Sequence, residues 1–168
     1  MQVGRIKAGC TGAMVALPLL MIAYWTGMSA AAISTAWLPW VDPVPVDTTK
    51  RILGALACAI PIGIAVVALL QLRRLADAVG RGDGFGIGAV RATSGIAASL
   101  AALGVALVVT WMLVPLALTF DAGPGNRHIV IGIDAGTLLA LAGAAFAAIM
   151  ARLLAAARQM AEEQAFTV

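Results

Sequence analysis

From Arg73 to Arg91 the chain reads RRLADAVGRGDGFGIGAVR, the only extended polar, charged segment in the interior of an otherwise apolar sequence. Two long apolar runs lie on each side of it, so it divides the chain into two apolar pairs. Four of the eleven basic residues fall here: Arg73, Arg74, Arg81 and Arg91. A basic cluster beside long apolar runs marks the cytoplasmic side of a membrane. The orientation of the whole chain is read from this segment.

With 62% hydrophobic and 11% charged residues, against about 45–50% and about 25% in soluble domains, the chain has more apolar surface than a soluble fold can hide. Its 168 residues leave room for about four spans of 20 to 25 residues and no separate soluble domain. The expected architecture is all-α, a four-helix transmembrane bundle forming one integral membrane domain. Its spans are placed at Ala8 to Leu38, Arg51 to Leu72, Thr93 to Thr119 and Ile129 to Ala157. Residues 73–92 form a cytoplasmic loop and residues 158–168 a cytoplasmic tail. With both termini inside, Arg5, Lys7, Arg73, Arg74, Arg81, Arg91, Arg152 and Arg158 are cytoplasmic and only Lys50, Arg51 and Arg127 are outside. The positive-inside rule is satisfied, and a multi-pass protein of a bacterial inner membrane is expected. The net charge of +3 is then a topology signal and a contact to anionic lipid headgroups. Direct nucleic acid binding is not expected.

The first run begins like a signal sequence, but its apolar stretch continues far beyond the 7–15 residues of a secretory h-region, which favours an uncleaved span. A helix of this length exceeds the hydrocarbon layer, and Pro18 is the expected kink. Trp37 and Trp40 mark the far interface. Pro39 to Lys50 reads as an extended external strip, after which Asp47, Thr48 and Thr49 can cap the second helix. Phe120 to His128 carries turn chemistry. In the fourth span Gly132, Gly136, Ala140, Ala144 and Ala148 recur every four residues, a small-residue stripe that lets helix backbones approach in lipid. Packing within the bundle is favoured for it, and a homo-oligomer stays open.

No catalytic constellation appears. Cys10 and Cys58 sit in apolar runs, where a buried thiol and no disulfide are expected. His128 is the single histidine and has no ligand cluster around it, so no metal, cofactor or enzymatic activity is expected. None of the ionisable groups sits at mid-span, which argues against a proton relay or ion-coupled carrier in a single copy. The glycines Gly80, Gly82, Gly84, Gly86 and Gly88 lack the Gly-Lys-Ser/Thr ending of a phosphate loop and read as loop flexibility. What remains is an inward-facing polar apparatus: the central loop with Phe85, and the tail.

Those two elements carry a resemblance. Arg81, Gly82, Asp83, Gly84, Phe85 and then Arg91, followed by Met160, Glu162, Glu163, Thr167 and Val168, resemble the loop and the C-terminal ending of a bacterial membrane protein family, domain of unknown function 2975. The chain departs from the family pattern at Gly84, at Gly86 with Ile87, where Ser-Pro is common, and at Ala165, where an acidic residue is common. The resemblance implies four spans and a non-enzymatic membrane anchor or sensor for a small cytosolic helix-turn-helix, DNA-binding regulator. Its partner-binding residues would be Arg81, Asp83, Phe85, Arg91, Glu162, Glu163 and Val168. Two other readings are compatible with the residues: an immunity protein whose partner is a bacteriocin or other exported toxin, and a subunit of a transporter or oligomeric pore.

Overall fold

The computed structural model describes residues 2–38, 45–121 and 131–165, all of whose regular structure is helical. Five helices follow one another: α1 (Gln2–Gly27), α2 (Ala30–Trp37), α3 (Thr48–Gly80), α4 (Ile87–Leu118) and α5 (Ala135–Ala165). Four of them, α1, α3, α4 and α5, are long and apolar enough to cross a membrane. Trp40, Arg127, His128 and the tail residues Thr167 and Val168 lie outside the described residues.

The first span differs from expectation. Helix α1 continues as helix past Pro18, and a break comes later, at Met28 and Ser29. Gly27 is a poor helix former, and Ser29 is a strong N-cap whose Oγ accepts from the Ala32 N–H at 3.2 Å. The carbonyls freed at the end of α1 are taken by a side chain from the next span. Arg51 Nη1 donates to the Trp25 carbonyl at 2.6 Å, and both of its Nη groups donate to the Met28 carbonyl at 3.1 Å. A basic residue that read only as a topology signal is therefore the cap of another helix.

Released by this break, α2 folds back onto α4. Ile33 and Leu38 are buried with Trp25, Val46, Ala57, Val114 and Leu118 in the main apolar cluster, and Trp37 packs on Trp111 with ring centroids 5.0 Å apart. Gly54 is required here, because a Cβ at this position would enter the Trp25 ring. Asp47 Oδ1 caps α3 by accepting from the Lys50 N–H at 2.9 Å. The Lys50 ammonium is almost wholly buried; it donates to the Pro45 carbonyl at 3.0 Å and pairs with Asp121 at 2.8 Å, joining the start of α3 to the end of α4. The Lys50 hydrogen bond holds the Asp121 carboxyl below the usual carboxylate range. Asp134 Oδ1 accepts from both Oγ1 and N of Thr137, each at 2.7 Å, so it caps α5. The Thr137 hydroxyl first, and its amide second, lower the Asp134 pKa.

The long helices lie in a row, in chain order: α1 packs on α3, α3 on α4 and α4 on α5. Helices α3 and α4 form the middle, and α1 and α5 are the edges. Along the α5 seam the buried residues are Thr137, Ala140, Ala144, Ala147 and Ala151, spaced by three and four residues in alternation. The expected stripe followed a strict four-residue spacing, which drifts about 40° around a helix at each step. Its ends accordingly leave the seam: Gly132 precedes the helix, while Gly136 and Ala148 are exposed. Ala140 and Ala144 lie within it, packed toward α4. Small seam residues let the backbones approach, as Gly143 does against Leu100.

Candidate functional site

The segment read as a long cytoplasmic loop is mostly helix. Polarity alone does not end a helix, and the Arg-, Leu- and Ala-rich run after Leu72 consists of good helix formers. Helix α3 carries Arg73 and Arg74 to its end at Gly80, and α4 carries Arg91 in its second turn. Only six residues, 81–86, make the turn. They are held tightly: the Gly82 N–H donates to the Val79 carbonyl and the Asp83 N–H to the Ala78 carbonyl, both at 3.0 Å, with Gly82 at φ +79°. This is a Schellman motif, and it needs a glycine at the left-handed position. At the other end of the turn, the Asp83 carboxylate lies over Gly86, where a Cβ would overlap it. The carboxylate thereby sits at the N-terminus of α4, where helices favour negative charge. Gly82 and Gly86 thus build a defined turn; loop flexibility is not what they provide.

Phe85 crowns this turn with 66% of its surface exposed. Beside it a shallow groove of about 320 Å³ is lined by Gly82, Asp83, Phe85 and Gly86 from the turn and by Arg158, Ala161 and Glu162 from α5. The turn and the tail, expected to share one face of the membrane, are brought into one groove. Glu162 is already engaged there: its Oε1 accepts from Arg158 Nε at 2.7 Å and pairs with Nη2 at 2.6 Å. It contributes a neutralised, hydrogen-bonded rim. Glu163 is exposed on the same helix end, and Val168 is outside the described residues.

Arg81 and Arg91 are not part of that groove. With Arg74 they line a second hollow between α3 and α4, of about 500 Å³. Arg74 is the residue that the sequence reading left out of the site. Its spacing held the signal: Arg74 and Arg81 are seven residues apart, hence on one face of α3 and its cap. On the far side of the row, Lys7 of α1 forms an ion pair with Asp77, and Arg73 Nη1 reaches Thr11 Oγ1 at 3.5 Å. The start of α1 and the end of α5 therefore flank the turn on opposite sides.

Among the described residues no group of three or more metal-ligating side chains comes together. Residues 13–168 match a family model described as "Protein of unknown function (DUF2975)". No curated protein and no solved structure matches the chain.

Proposed function

We propose that this chain, which belongs to the DUF2975 family, is a non-enzymatic inner-membrane protein that acts by docking a partner protein on its turn-and-tail face. The partner that the family resemblance implies is a small cytosolic helix-turn-helix regulator held at the membrane. The turn end then faces the cytoplasm, as the positive-inside rule favours, with Lys7, Arg73, Arg74, Arg81, Arg91 and Arg158 all near it.

The observation that carries the reading is Phe85, an exposed aromatic on a rigid turn beside a groove with a polar rim. Aromatic anchors of this kind concentrate binding energy because they bury a large area while losing little conformational entropy. The Schellman turn fixes the ring's position in advance, which lowers the ordering cost of association.

The test is a mild-detergent pull-down of internally tagged protein from its native membranes, with Phe85→Ala as the comparison. A small soluble DNA-binding protein should be recovered with the parent chain, and affinity should fall roughly thirtyfold in the variant, the size of an interface anchor worth about 2 kcal/mol. Equal recovery with both chains, or recovery only of an exported peptide, would overturn the reading.

A further inference from the structure

The hollow between α3 and α4 has a chemistry of its own. Three arginines, Arg74, Arg81 and Arg91, line a space of about 500 Å³ that has no acidic residue in its lining. The two carboxylates nearest in sequence are directed elsewhere: Asp77 pairs with Lys7, and Asp83 lies over Gly86 in the other groove. Among the described residues none of the three arginines has an ion-pair partner. Their internal interactions are weak: Arg74 Nη1 approaches Gln71 Oε1 at 3.5 Å, at the limit of a hydrogen bond, and the Arg81 charge acts on Asp77 without forming an ion pair with it.

The floor of the hollow is made of small residues. Gly95 and Ala98 of α4 leave the space open, and the Gln71 side chain lies across Gly95 so closely that a Cβ there would approach it to 2.9 Å. Along the helices the lining extends from Ala98, inside the apolar part of α4, to Arg81 at the turn. Gln71 to Arg81 is about 15 Å at the helical rise. A polar mouth over an apolar floor, placed where the spans leave the hydrocarbon layer, matches the headgroup zone of one leaflet.

We propose that this hollow binds a phosphate-bearing anion, gripped by Arg74, Arg81 and Arg91 with Gln71 and the Ser94 hydroxyl as further donors. Arginine presents paired N–H groups in a planar fork that fits phosphate oxygens two at a time. Three forks from two helices and the turn enclose one such group. Binding there joins α3 to α4 across the turn, whether or not a protein docks at Phe85. The phosphate has two sources, the headgroup of an anionic lipid or a soluble phosphate compound.

The experiment uses the full chain purified in neutral detergent and reads binding by native mass spectrometry and by the shift in thermal denaturation. The probes are short-chain phosphatidic acid, short-chain phosphatidylcholine as the zwitterionic lipid, and inorganic phosphate. Saturable binding of phosphatidic acid alone identifies a lipid site, and saturable binding of inorganic phosphate identifies a soluble one. Arg91→Gln should weaken either by roughly tenfold or more, the loss expected for one charge-assisted contact. Arg73→Gln, which removes an equal charge one position outside the hollow, should leave it within about twofold, because an exposed charge there is screened. Ala98→Leu tests the cavity with every arginine kept, and should also abolish saturable binding. If no anion shifts the parent, or if Arg73→Gln weakens binding as much as Arg91→Gln, the arginines form only a diffuse basic surface and the proposal fails.

Discussion

At the α2 end of the molecule Lys50 and Arg51 are bound internally, whereas at the turn end, where Lys7 and Arg158 are paired, Arg74, Arg81 and Arg91 are not. Lys50 is buried on a carbonyl and a carboxylate, and Arg51 closes the open end of α1, so the two positive charges complete hydrogen bonds that the fold cannot leave unmade. Arg74, Arg81 and Arg91 complete no such structure. They line an open hollow, and Phe85, in the separate groove at the turn, stays largely exposed. Basic residues, equally conspicuous in the sequence, therefore serve folding at one end and are left available by it at the other. Apolar packing follows the same division. The large buried side chains, Trp25, Ile33, Leu38 and Leu118, collect around α2, whereas the turn end is held by backbone hydrogen bonds and small residues.

The largest effect expected from this difference lies at Arg51. Replacing it with Ala leaves the carbonyls of Trp25 and Met28 without a donor near the membrane interface. Stability should fall by about 3 kcal/mol, the scale of losing a charged hydrogen-bond donor to partly buried acceptors. Arg91→Ala, which removes an unpaired exposed charge, should change it by no more than about 0.5 kcal/mol. Unfolding of the purified variants in mixed micelles measures both. If Arg91→Ala proved as damaging as Arg51→Ala, the division between a structural and an available set of cations would be broken.

An acid titration probes the Lys50–Asp121 pair of the α2 end by another route. The Asp121 pKa is depressed in the folded chain by its hydrogen bond from Lys50. A carboxylate of this kind adds stability that is fully present above its unfolded value of about 4 and is lost as the pH falls through the lower folded value. Thermal stability should therefore decline on acidification below about pH 4, and Asp121→Asn should flatten that part of the profile while lowering the neutral plateau. Arg91→Gln should leave the acid limb unchanged.

The parts of this fold that were legible in the sequence are those set by hydropathy and charge: four long apolar helices, the break between the pairs, and the shared end of turn and tail. Thirty-odd consecutive residues with few charges can only be helix in a bilayer, because every backbone group must be satisfied within the segment. The rest depends on tertiary partners. Gly27 and Ser29 mark a local break, but that Arg51 of the next span donates to the freed carbonyls of Trp25 and Met28 is stated by nothing local to residues 27–29. The stripe of Gly132, Gly136, Ala140, Ala144 and Ala148 names the right residue type, yet only the crossing with α4 decides that Thr137, Ala147 and Ala151 belong to the seam in place of its ends. At the turn, Arg91 was legible as a cation and not as a wall of a cavity. The cavity exists because α3 and α4 continue as helices through the charged residues that flank the turn, which polarity alone reads as loop.

The smallest effect concerns the departure from the family pattern at Gly86 and Ile87. In the structure these are the N-cap and first residue of α4, and Gly86 provides no side-chain cap. The position where Ser-Pro is common in the family is thus a helix start, and proline is well suited to the first helical position because its missing N–H has no intrahelical acceptor there. Gly86 has φ −73° and ψ 170°, the extended conformation that a residue before proline requires. Ile87→Pro should therefore be accepted without strain and stabilise the chain by about 0.5 kcal/mol, through a less flexible unfolded state. Gly86→Ser should not reproduce this gain, since its Cβ meets the Asp83 carboxylate and displaces it from the helix N-terminus. A destabilising Ile87→Pro, measured by the same micellar unfolding, would mean that the turn end depends on the Ile87 side chain, and would place apolar packing where the comparison between the two ends has only backbone.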